Sequence, residues 1–91
     1  MALETSEPHD WIEARLRLLS AELDAARILL LDAFAHREDA DLVQQNRQQV
    51  RQSYETITRY LPRLPLCERD AWEFRCVALR AELRDLGEDF V

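Results

Sequence analysis

Three small groups of residues in this 91-residue chain have the types and spacing to do chemistry. Arg47, Arg51 and Tyr54 stand at i, i+4 and i+7, which on a helix puts two guanidinium groups and a phenol on one face. Such a trio suits a carboxylate or phosphate, because forked N–H donors match an anion's oxygens. Arg47 also interrupts an apolar seam, and three readings of it stay open. Its stem can lie along the seam with the head in water. It can pair with an acid of a helix earlier or later in the chain (about 11–37 or 65–86, below) and fix the register. Or it can line a pocket for an anionic ligand. Asp32 and His36, at i and i+4, are weak metal candidates: half a site completed across a symmetric interface, or a pH-sensing pair. The plainer reading is a local charge-assisted hydrogen bond near a helix C-terminus, where a charged imidazole is favoured. No Glu-x-x-His of a dimetal bundle accompanies them. Cys67 and Cys76 are nine positions apart, about 13 Å along one helix and half a turn around it. They therefore cannot pair within that helix. Cys76 reads as a small core residue. Cys67 lies near a helix N-terminus, where a thiolate is favoured, but no His lies near it in sequence. The chain has no Gly-rich phosphate loop, Cys-x-x-Cys, nucleophile elbow or metalloprotease helix, so no cofactor is implied.

Charge narrows the partners. All twelve bases are Arg, against 18 acids, for a net charge of −6. That balance argues against a nucleic-acid binder, which needs a basic face. The distribution is uneven. Residues 1–41 hold ten acids and four Arg; residues 42–63 hold Glu55 and four Arg; residues 64–91 hold seven acids and four Arg. A basic middle segment between two acidic ones predicts complementary packing within the domain. Arg without Lys fits a GC-rich coding bias, and hence a bacterial source. No apolar run approaches the ~18 residues of a membrane span. Met1–Asp10 lacks the basic start of a signal peptide. Two Cys make no disulfide framework, so a reducing cytoplasm is expected.

The elements that must position these residues are helices. The 47% apolar fraction excludes disorder, and one Gly with three Pro argues against a turn-rich β fold. Residues 1–9 read as a flexible acidic tail. Asp10 with Glu13 reads as a capping box opening a helix over about 11–37. Ile12, Leu16, Leu19, Leu23, Ala26, Leu30 and Ala33 form its 4-3 seam, and Trp11, Ala14, Leu18, Ala25 and Leu29 form a second stripe. This apolar arc is wider than one surface helix needs. A second helix is expected over 42–61, capped by Asp39 or Asp41, with seam Val43, Arg47, Val50, Tyr54, Ile57 and Leu61. Pro62 and Pro65 separate it from a third over 65–86, with seam Trp72, Cys76, Leu79, Leu83 and Leu86. Phe74, Val77, Ala78 and Ala81 make a weaker second face there. Gly87 suits the C′ position, and 88–91 reads as a short tail. The expected fold is all-α: one domain over 10–87, an antiparallel up-down-up three-helix bundle with a long first helix, self-associating through its surplus stripe.

The segment Arg17-Leu18-Leu19-Ser20-Ala21-Glu22-Leu23-Asp24 resembles the first-helix Arg…Leu-Asp pattern of the all-helical chorismate mutases. The resemblance covers about a quarter of the chain. It implies an all-helical enzyme in which Arg17 is a substrate-binding residue. The pattern then departs: Phe34 stands where that family has its second helix-1 Arg, and the catalytic Lys has no counterpart in a chain without Lys. A cationic cluster able to stabilise an anionic transition state is thereby lost. Ala35-His36-Arg37-Glu38 resembles the histidine phosphotransfer motif more distantly, with Asp39 and Ala40 in place of its Lys and Gly. The expectation is therefore a non-enzymatic helical interaction or adaptor module with a protein partner. A homodimer through Trp11, Leu18, Ala25 and Leu29 is the simplest case. The alternatives are an acidic inhibitor presenting residues 1–41 to a basic surface, and a small enzyme or ligand sensor using Arg47, Arg51 and Tyr54.

Overall fold

The structure is a computed structural model and describes residues 3–90. Its order is α1 (Leu3–Ala35), α2 (Ala40–Tyr60), a single 3₁₀ turn (Leu61–Arg63) and α3 (Leu66–Asp85). The three helices pack on one another, and no strand occurs among the described residues. No helix among them is long and apolar enough to cross a membrane.

The turns follow from local chemistry. α1 stops at Ala35, where His36 N–H donates to the Asp32 and Ala33 carbonyls and the chain turns through Arg37 and Glu38. Asp39, in extended backbone, then caps α2: its Oδ1 accepts from the Leu42 N–H at 3.2 Å. This is the N3 amide that an N-cap carboxylate ordinarily satisfies. After α2, Pro62 enters the 3₁₀ turn, and Leu64 adopts φ −83°, ψ 149°, the extended form required before Pro65. Arg69 secures this turn by donating to the Pro62 and Leu64 carbonyls, both at 3.0 Å. α3 ends in a Schellman motif. Gly87 takes φ +98°, its N–H donates to Arg84 O at 2.9 Å, and the Glu88 N–H donates to Leu83 O at 3.0 Å.

The core is the meeting of the seams. Leu19, Leu23, Ala26, Leu30 and Ala33 of α1 are buried with Val50 and Ile57 of α2, Leu64 of the turn, and Trp72, Cys76, Leu79, Leu83 and Leu86 along α3 and its cap. Leu16, Val43, Tyr54 and Leu61 pack at the edge of this cluster. The α1–α2 interface also holds two polar residues, Asn46 and Ser53, in the buried set with Val50 and Ile57. Asn46 donates from Nδ2 to Leu29 O at 2.9 Å and lies 3.2 Å from Asp32 Oδ2. The ends of helices are tied across the sequence as well: Arg37 donates to Asp85 O, and Arg47 to Leu86 O.

Several expected boundaries change. α1 begins at Leu3, not near Trp11, so Asp10 lies inside the helix and is not its cap. The residues expected as a loose tail are thus helical from Leu3 onward, and residues 1 and 2 lie outside the described part. Pro8 and Asp10 suggested the later start; Pro8 is the sixth residue of α1, and the helix runs through it although proline cannot donate to the carbonyl four residues back. Pro65 is the N-cap of α3, so that helix begins at Leu66, one position later than the expected start at 65. Glu88 and Phe90, read as tail, pack back onto the domain; Val91 lies outside the described residues.

Gly87 supplies a stability test. A Cβ there sits in the left-handed region and 3.1 Å from Arg47 Nη1. Gly87→Ala should lower stability by about 1–2 kcal/mol, and Gly87→Asn by less. Urea unfolding followed by circular dichroism, with the slope unchanged, checks the size.

Candidate functional site

The Arg47–Arg51–Tyr54 face forms as the spacing predicts, and its anion is a side chain of the same protein. The Schellman turn aims Glu88 back at α2. Arg47 Nε lies 3.2 Å from Glu88 Oε1, within ion-pair distance though not aligned as a hydrogen bond. Arg51 Nη1 donates to Glu88 Oε2 at 3.0 Å, and its Nε donates to Glu55 Oε2 at 3.2 Å. Arg47 Nη1 donates to Leu86 O at 3.1 Å, sharing in the cap of α3. Both arginines and Glu88 are mostly shielded, with side-chain exposures of 20–32%. That sets them apart from the fully exposed pairs whose net contribution is close to zero.

An aromatic lies beside the carboxylate. The guanidinium carbons of Arg51, Arg80 and Arg84 stand 4.4, 4.7 and 5.9 Å from the centre of the Phe90 ring. Tyr54 meets the same ring edge-on at 5.4 Å. Arg80 Nε is buried without a hydrogen-bond partner. Cations over a ring face, and an edge-on second ring, are the preferred aromatic geometries. Next to Glu88 a cavity of about 330 Å³ opens between Gln44, Arg47, Gln48, Arg51 and Gln52.

The second stripe of α1 is at the surface. Trp11 is 56% exposed and Leu18 45%, Ala25 is exposed, and Leu29 is half-buried against the core. Trp11, Ala14, Arg15 and Leu18 line a shallow apolar groove with Tyr60 of α2. Arg15 is sandwiched there, its guanidinium carbon 3.4 Å from the Trp11 ring centre and 5.2 Å from that of Tyr60. Farther along, Glu22, Ala25 and Leu29 face Gln49, Gln52, Ser53 and Thr56 across a larger open groove. The stripe therefore borders the α1–α2 cleft over its length. Other apolar side chains are more exposed: Ile28 and Leu31 on α1, and Leu66, Phe74 and Val77 on α3. The weaker second face of α3 thus points to solvent at Phe74 and Val77.

Asp32 and His36 do meet, His36 Nδ1 lying 3.1 Å from Asp32 Oδ1 and 3.0 Å from Asp32 O. The other carboxylate oxygen faces Asn46. No group of three His, Cys, Asp or Glu able to hold a metal occurs among the described residues. The Asp32 carbonyl, followed by its carboxylate charge and that of Glu38, raises the His36 pKa above 6.5. Cys67 is exposed and Cys76 buried. Burial, with Glu73 nearby, pushes the Cys76 thiol up to about 11. Arg17, the residue singled out by the chorismate mutase resemblance, is 81% exposed and pairs with Glu13 at 3.7 Å; it joins neither Arg47 nor Arg51. No protein-family model, curated protein or solved structure matches the chain.

Glu88, Phe90, Arg80 and Arg84 are the site residues that spacing within one helix does not reveal. The cue was indirect: two unbalanced arginines on α2, with an acid just beyond a helix-ending glycine. Asn46 was also missed, although 46, 50, 53 and 57 follow the same 4-3 rhythm as an apolar seam.

Two measurements check these environments. A thiol reagent at pH 8 should label Cys67 rapidly and Cys76 only on unfolding. The His36 imidazole should titrate above 6.5 by NMR. Whatever its protonated form adds to stability is complete below 6.5 and is lost as pH rises through the folded midpoint; Asp32→Asn should lower that midpoint only in part, because the backbone carbonyl remains.

Proposed function

We infer that this protein is a non-enzymatic helical interaction module that pairs with a second copy of itself along the α1–α2 cleft. The observation that carries this reading is the groove of Trp11, Ala14, Arg15, Leu18 and Tyr60. It presents two aromatic rings, an arginine stacked between them and an exposed leucine. Trp, Tyr and Arg are the residues that dominate interface energetics. Beyond it, Ala25 offers no bulk, so a partner helix can approach α1 closely. A twofold axis crossing this stripe would bring the same residues of both copies together, as a closed dimer requires.

Within one copy, this reading takes the helices as up-down-up and antiparallel. The ties of Arg37 to Asp85 and of Arg47 to Leu86, with loops of a few residues, support that path. The long α1 then becomes the element shared between copies, and the pair approximates the layered helix packing of larger bundles. Binding by helix packing needs no cofactor. It also gives the acidic surface no role in nucleic-acid binding, which agrees with the net charge of −6.

The pairing is tested by Leu18→Glu with Ala25→Glu, which leaves the half-buried Leu29 untouched. Light scattering behind a sizing column should give about twice 10.7 kDa for the native chain across a hundredfold range of concentration. The double variant should give the monomer mass with its helical circular dichroism intact. A native chain that stays monomeric throughout that range overturns the reading.

A further inference from the structure

We propose that the outer edge of α2 is a binding track for an extended acidic peptide with an aromatic residue two positions after its glutamate, and that Glu88 and Phe90 occupy part of this track as an internal ligand. This site adjoins the α1–α2 cleft, with Gln52 on the border of both, but does not rest on the pairing proposed there.

Three observations converge. First, the pocket chemistry is written out by the side chains already in it. One carboxylate is received by Arg47 and Arg51, and two positions later one aromatic ring is received by Arg51, Arg80 and Tyr54. Second, the cationic capacity exceeds what the internal segment uses. Arg80 and Arg84 lie over Phe90 and form no ion pair among the described residues, and Arg80 Nε is buried without a hydrogen-bond partner. Third, the cavity beside Glu88 is lined by Gln44, Gln48 and Gln52. Consecutive members of this ladder rise about 6 Å along the helix. The peptide groups on one edge of an extended chain repeat at about 6.6 Å, twice the rise per residue. A primary amide offers both donor and acceptor to a backbone. The ladder is therefore matched to a peptide main chain, with the arginines on the adjoining row reading its acid.

The attachment of the internal ligand also fits exchange. Glu88 is held near the arginines by one backbone bond to Leu83 O, so its side chain is always at hand. Beyond it, Asp89 and Phe90 make no backbone hydrogen bond among the described residues, and Phe90 is held through its half-buried ring, against Tyr54, the arginines and the edge of the core. An intramolecular ligand on so short a tether competes directly with any external one. It lowers the apparent affinity of any external peptide by the fraction of time the track is open.

The probe is a fluorescein-labelled peptide, Ser-Gly-Glu-Asp-Phe-Gly-Ser, with Ser-Gly-Gln-Asn-Ala-Gly-Ser as control, read by anisotropy against the full chain. The Glu88→Gln, Phe90→Ala double variant should bind the acidic peptide at least about tenfold more tightly than the native chain, the gain expected from removing the internal competitor. The control peptide should bind neither. Adding Arg51→Met should abolish binding, and adding Gln44→Ala with Gln48→Ala should weaken it several-fold. Unlabelled native chain that displaces the probe would identify the segment of a second copy as a ligand; no displacement would point to another protein as its source. Equal binding by native and double variant, or no binding by a double variant that keeps its helicity, overturns the proposal. A double variant that loses its helicity overturns it too, since Glu88 and Phe90 would then be part of the fold and not an exchangeable ligand.

Discussion

The arrangement depends on how closely α2 approaches the backbone of α1. Asn46 reaches the Leu29 carbonyl, an oxygen in the last two turns of α1, at 2.9 Å. Ala26 and Ala33, both fully buried on the same seam, keep that approach clear of bulky side chains. The bond is directional where the leucine contacts are not. Leu19, Leu23 and Leu30 would tolerate α2 sliding by a turn, but a buried amide that lost its acceptor would cost about 1–3 kcal/mol. Asn46 thus fixes the register, and everything placed by α2 inherits it: Tyr60 beside Arg15 at one end, and Arg47 and Arg51 under the Schellman turn at the other.

Much of this was legible in the residue pattern. The buried seams of α1 and α3 match the 4-3 spacing of Leu19 to Ala33 and of Trp72 to Leu86, because each helix buries one continuous apolar stripe. Asp39 and Gly87 cap where their backbone chemistry says they must. The start of α1 was misjudged at Pro8 and Asp10, since punctuating residues mark a probable boundary and a helix of 33 residues tolerates one interruption near its end. The face of α2 was harder. Its inner stripe mixes Asn46 and Ser53 with Val50 and Ile57, so polarity disguised burial. The ligand of Arg47 came from beyond helix 3, a pairing fixed by tertiary geometry that no helical spacing encodes.

An all-arginine complement of bases suits this architecture for physical reasons. Arg15, Arg51 and Arg80 each set a flat guanidinium against a ring, and Arg51 does so while also serving two carboxylates. An ammonium group is a point charge on a flexible stem and cannot stack and fork at once. Replacing these residues by Lys would keep the net charge and lose the geometry. The charge pattern alone, basic between two acidic segments, therefore understates how the middle helix is held.

Gly87 joins two properties that are usually independent. Its left-handed backbone ends α3 and turns the next residue toward α2. Were α3 to run on for another turn, Glu88 would take a helical position, leaving Arg47 without its carboxylate and Arg51 with Glu55 alone. The length of one helix and the electrostatic sign of its neighbour's surface are thus a single variable, set at one residue. A local winding of fewer than four residues would make that surface more cationic and draw Phe90 from the edge of the core.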